Sequence, residues 1–104
     1  MLKVVFSPIS EQDIEDHYVF IASENLTAAK KFFQSVQEMT KTISRMPQIG
    51  TVFSIQRDIP LEIRYLPISG FGHHLIFYKI SGKTIRILRL LHSARDLNNI
   101  QDWW

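Results

Sequence analysis

Two arginines stand where a charge is expensive. Arg64 lies in the apolar run LEIRYL (61–66) and Arg89 in TIRILRLL (84–91). A guanidinium there must be paired, reach solvent along its stem, or serve a ligand. On neighbouring strands of one sheet the two would form a positive spot, suited to a phosphate or to the carboxylates of a bound peptide. His92 closes the second run. It can act as a general acid or base near neutral pH, or hydrogen-bond the turn that follows at Ser93-Ala94-Arg95-Asp96, which is the simpler role. Arg64, Arg89 and His92 are thus the catalytic candidates. His73-His74 suggests a metal pair, but adjacent strand residues point to opposite faces. With no cysteine and no further His/Asp cluster nearby, no metal is expected. No glycine-rich phosphate loop, G-x-S-x-G or zinc spacing occurs, and no cofactor is expected. Tyr65 and Tyr78 read as packing aromatics with a polar tip. Trp103 and Trp104 read either as a fold-back onto the sheet or as an exposed anchor for a partner.

The elements that must position these residues follow from periodicity. Residues 2–6, LKVVF, predict a strand that Ser7-Pro8 ends. Ser10 with Asp13 three residues on resembles a capping box, and Glu11, Asp13, Glu15 and Asp16 suit the positive end of a helix. Ile14, Tyr18 and Ile21 give that helix one apolar face. Asn25 or Thr27 can cap a second helix, whose stripe Ala29, Phe32, Val36, Met39, Ile43 and Met46 alternates three and four and reads as core. Pro47 and Gly50 stop it. Strands follow at 61–66, 73–80 and 84–91, the last two flanking a Ser81-Gly82-Lys83 hairpin loop. In the final strand, strict alternation places Ile85, Ile87 and Leu91 with Arg89, and Leu88 and Leu90 with Arg86 and His92. A strand apolar on both faces is covered on both sides. One cover is the helical hairpin; the other is the chain end or a partner.

The 104 residues, 45% of them apolar, predict one globular α+β domain over 1–104: an N-terminal strand, a helical hairpin, a three-stranded antiparallel meander and a short C-terminal extension. No apolar run approaches a membrane span and no signal-peptide core is seen, so a soluble cytoplasmic protein is expected. Residues 1–46 carry five Lys/Arg against six Asp/Glu, and residues 47–104 carry seven against four. The second half is therefore mildly basic and suits an acidic partner, protein or nucleic acid.

The chain resembles the RelE/ParE toxin superfamily, its ParE branch most closely. The resemblance rests on V-x-F-S-P at Val4 to Pro8, Asp13 and Ile14 in an acidic first helix, Ala29 early in the second, and Met46-Pro47 with Gly50 after it. It continues in Arg64 ahead of Ile76-Phe77-Tyr78, and in I-L-R-L-L-H from Ile87 to His92 with Arg95-Asp96. It implies a toxin neutralised by a cognate ParD-like antitoxin, with operator DNA bound only through that antitoxin. ParE-like toxins poison DNA gyrase without being enzymes; RelE-like toxins cut mRNA on the ribosome. Residues 47–60 hold only Arg57, too few cations to hold a scissile phosphate, which points away from RNA cleavage. The alternatives are a RelE-type endonuclease and a non-toxic antitoxin-binding module. Arg64, Tyr78, Arg86, Arg89, Arg95, Trp103 and Trp104 are the residues expected to bind target or antitoxin. That antitoxin is expected to cover apolar surface on the meander.

Overall fold

The computed structural model describes residues 1–53, 62–94 and 96. Their element order is β1 (Lys3–Phe6), α1 (Pro8–Ala22), α2 (Leu26–Arg45), β2 (Thr51–Phe53), β3 (Ile63–Ile68), β4 (Phe71–Ser81) and β5 (Thr84–His92). The five strands form one sheet in the order β1-β5-β4-β3-β2. The meander is antiparallel as expected, and β1 joins it in parallel beside β5, with Val4 opposite Ile85 and Phe6 opposite Ile87. Parallel pairing needs a crossover: the helical hairpin carries the chain from β1 at one edge to β2 at the other, and the later strands return to place β5 beside β1.

The first helix starts three residues earlier than its capping pattern suggests. Ser7 is the N-cap: its hydroxyl accepts the Ser10 N–H at 3.1 Å, and Pro8 occupies the first turn, where a missing N–H costs nothing. The same hydroxyl donates to the Leu88 carbonyl at 2.9 Å, tying the helix start to β5. Asn25, rather than Thr27, caps α2 by accepting the Ala28 N–H.

The core has two clusters, one on each face of the sheet. Phe32, Val36 and Ile43 of α2 pack on Ile68, Ile76, Tyr78, Ile85, Ile87 and Leu90. The opposite face buries Ile63, Leu75, Phe77, Leu88 and Leu91, with Phe53 and Tyr65 against them. Along β4 the two sets alternate without a slip. Along β5 they do not. Tyr78 opposes Ile87 while Phe77 opposes Arg89, so Leu88 is an extra residue, a β-bulge. The bulge corrects the alternation expected for this strand: Leu90 joins Ile85 and Ile87 against the helices, and Leu91 joins Leu88 on the far face.

Three further differences concern short elements and element ends. β2 is not visible as a strand in the sequence because it is only three residues long. β3 runs through Pro67 to Ile68, with a register shift after the proline, and β4 starts at Phe71. Met46 leaves the α2 stripe: it is the C-cap, with non-helical φ, and is exposed.

Candidate functional site

Arg64 and Tyr78 face each other across β3 and β4, in line with Val52 on β2. Together they hold the turn that leaves α2. The Tyr78 hydroxyl donates to the Pro47 carbonyl at 2.8 Å and accepts the Gly50 N–H at 2.9 Å. Arg64 Nη1 donates to the carbonyls of Gln48 (3.1 Å) and Gly50 (2.8 Å), and Nη2 meets Glu62 at 2.6 Å. Gly50 is required by contact rather than by backbone angle, because a Cβ there would lie 2.6 Å from the Tyr78 hydroxyl oxygen and 3.0 Å from Arg64 Cβ. Burial pushes the Tyr78 phenol above its ordinary pKa, although the Gly50 N–H and the Arg64 charge pull the other way. The phenol is therefore a neutral strut at physiological pH. A groove of about 560 Å³ adjoins this turn, lined by Leu2, Met46, Pro47, Gln48, Ile49 and Ile80.

Arg89 is engaged elsewhere. Its Nε and Nη2 donate to the two carboxylate oxygens of Asp13 in α1, at 2.7 and 3.0 Å. Asp13 Oδ2 also accepts the Leu90 N–H at 3.1 Å, so the carboxylate satisfies a strand amide just past the end of β1. The hydrogen bond to Asp13 holds the Arg89 pKa above its already high value against the opposing effect of burial. Arg64 and Arg89 therefore form no joint cationic spot; each serves a separate structural bond network.

His92 stands opposite His74 at the end of the sheet. Its Nδ1 accepts the Ala94 N–H at 3.2 Å and its backbone N–H donates to Asp96 at 2.7 Å. This is the turn-holding role. His73 is exposed and His74 buried, and both rings contact the His92 ring. Among the described residues no group of three or more His, Cys, Asp or Glu side chains is placed to hold a metal. Arg57, Arg95, Trp103 and Trp104 lie outside the described residues.

The positive pair of the sheet is a different one. Lys79 of β4 and Arg86 of β5 are direct cross-strand partners, and Arg86 is exposed. Alternation from Ile85 and Ile87 puts them on the face away from the helices. Neither has an ion pair among the described residues. Like charges directly opposed destabilise a sheet. Spacing alone hid this pair, because it depends on the β4–β5 register.

The meander buries most of its apolar residues on both faces but exposes Ile80 of β4, and the large exposed side chains of the hairpin are Ile9, Val19, Phe20, Leu26 and Phe33. Between α1 and α2 runs a groove of about 460 Å³ lined by Glu11, Ile14, Glu15, Tyr18 and Phe33.

A hairpin packed on a five-stranded sheet, with a parallel first strand and a C-terminal meander, defines the RelE/ParE-like toxin fold. Solved structures share it. The chromosomal ParDE toxin–antitoxin system from P. aeruginosa matches with TM-score 0.67 and 19% identity, covering 88% of this chain and 96% of that one. The YoeB dimer from Staphylococcus aureus matches with TM-score 0.57 and 20% identity, covering 88% and 95%. No curated protein matches the chain. The model of the ParE toxin of type II toxin–antitoxin systems matches residues 4–97. The chain belongs to this ParE toxin family, and it is the toxin component of a type II toxin–antitoxin system. No helix among the described residues is long and apolar enough to cross a membrane.

Proposed function

We propose that this toxin acts by binding DNA gyrase, in the cytoplasm and without catalysing a reaction itself, and that a ParD-like antitoxin neutralises it. The observation that carries this reading is the state of the candidate catalytic groups. Arg64 is bound to two carbonyls and Glu62, Tyr78 to Pro47 and Gly50, Arg89 to Asp13, and His92 to its own turn. A ribonuclease needs such groups aimed at a phosphate and free to stabilise its growing charge. Here they brace the backbone. Membership of the ParE toxin family supports a gyrase target, with growth arrest and plasmid stabilisation as the expected consequences.

The antitoxin contact is best supported at the Lys79–Arg86 pair. Acidic side chains of a bound segment would relieve the like-charge opposition and form charge-assisted hydrogen bonds. Operator DNA is then reached through the antitoxin.

The test uses purified toxin, gyrase and supercoiled plasmid. Cleaved DNA should accumulate with toxin and vanish when antitoxin is added first. Intact DNA at saturating toxin, together with translation-dependent cuts in cellular RNA, would replace this reading with the endonuclease. A lack of any growth defect on expression would leave the antitoxin-binding module.

A further inference from the structure

All four histidines of the chain, His17, His73, His74 and His92, meet at the end of the sheet where β4 begins and β5 ends. His17 comes from α1 and His74 from β4. They are 5% and 8% exposed, and their Nδ1 atoms are 2.8 Å apart. Phe32 of α2 and Phe71 of β4 wall the pair with ring centroids 5.3 and 6.3 Å from His74.

A nitrogen–nitrogen separation of that length is a hydrogen bond, with one donor and one acceptor. One Nδ1 therefore carries hydrogen and the other does not. An imidazolium carries hydrogen on both ring nitrogens, so the two rings cannot both be imidazolium while the contact stands. We propose that the His17–His74 pair is a one-proton joint between α1 and the sheet, which a second proton breaks, making the docking of α1 sensitive to mild acid.

The acidic side chains that flank His17 on its own helix are already engaged. On α1, Asp13 lies one turn before His17 and is taken by Arg89 and the Leu90 N–H; Asp16 accepts from Gln12. From α2 the pair meets Phe32. From β4 it meets Phe71, while the exposed His73 stacks on the His92 ring with centroids 5.8 Å apart. From β5 it meets His92, whose Nδ1 accepts the Ala94 N–H and so carries no hydrogen of its own, and whose backbone N–H holds Asp96. In the unfolded chain both rings take a proton freely below about pH 6.5. The unfolded state then binds at least one proton more than the folded state. By linkage the unfolding constant rises about tenfold per pH unit below that range, from this pair alone. The acid-labile end of α1 is the His17 end, since the Asp13 end is held by the ion pair to β5. This inference is independent of the target proposed above.

The test compares the full chain with His17→Gln in equilibrium unfolding from pH 7.5 to 5.0. A glutamine amide can accept from a protonated His74, so the variant should lose about one power of ten per pH unit of acid sensitivity. Groups away from the pair are common to both proteins and cancel in the comparison. Equal pH slopes overturn the proposal. Nitrogen-15 NMR of the imidazoles in the unaltered protein provides a second reading that needs no variant. It should find one hydrogen-bearing and one bare Nδ1 in the pair at pH 7.5, and loss of native signals as the second ring is protonated. Two imidazolium rings in a fully native spectrum overturn the proposal as well.

Discussion

Asp13 and Arg89 are 76 residues apart in sequence and joined by two side-chain hydrogen bonds, with the Leu90 amide as a third contact on the same carboxylate. The pair is mostly buried, with side-chain exposures of 10% and 20%. Removing one partner strands the other. We predict that Asp13→Ala destabilises the toxin by about 3 kcal/mol, since it leaves both the guanidinium and the Leu90 N–H unsatisfied. Arg89→Ala should cost less, because Asp13 keeps the amide. The double variant should cost well under the sum of the two. Urea unfolding of the four proteins checks this, and additive losses would show that the two side chains do not act as a unit.

Gly50 and Tyr78 give a second coupled pair. Tyr78→Phe deletes a donor to Pro47 and an acceptor for Gly50, at a cost of about 1–3 kcal/mol. Gly50→Ala drives a Cβ against the hydroxyl and should cost at least as much, through overpacking. In the Tyr78→Phe background the alanine meets no hydroxyl, so its added cost should fall by about half or more. Thermal melts of the four proteins decide it; an unchanged cost would mean that the ring edge or Arg64 Cβ, not the hydroxyl, excludes a side chain.

The legible parts of this fold are those set by local periodicity. The α2 stripe placed Ala29, Phe32, Val36 and Ile43 in the core because the 3.6-residue repeat is a property of the helix itself. Parity likewise separated the exposed His73 from the buried His74. What failed needed long-range register. The bulge at Leu88 exists only relative to β4, and it turned Leu90 and Leu91 to faces that strict alternation does not give. The cost of burying Arg64 and Arg89 was readable, but their partners were not. Two are backbone carbonyls, and Asp13 is indistinguishable by spacing from its acidic neighbours Glu11, Glu15 and Asp16. The His17–His74 contact joins a helix to a strand 57 residues away, which no local pattern reports.

The buried phenol of Tyr78 carries its own pH signature. Its folded-state pKa is raised, chiefly by burial, so the folded chain keeps a proton that the unfolded chain releases. The associated stability is fully present below about pH 10, the ordinary tyrosine value, and is lost as pH rises through the raised folded value. Ultraviolet titration should show a late tyrosine ionisation, and Tyr78→Phe should remove that step. Absence of a late step in the folded protein would contradict the buried setting.

The Lys79–Arg86 opposition separates stability from binding. A strut such as Arg89 should lose stability when truncated, whereas a like-charge cross-strand pair should not. We predict that Lys79→Ala or Arg86→Ala leaves the melting temperature unchanged or raises it slightly, the relief being a few tenths of a kcal/mol. Each should weaken the antitoxin by about tenfold, as expected for the loss of a charge-assisted contact worth about 1.5 kcal/mol. The loss should shrink as salt rises, because screening already weakens exposed pairs. Calorimetric titration of antitoxin into each variant at two salt concentrations provides the measurement. Unaltered affinity in the double variant would remove this face from the interface, and the exposed apolar groove between α1 and α2 would take its place.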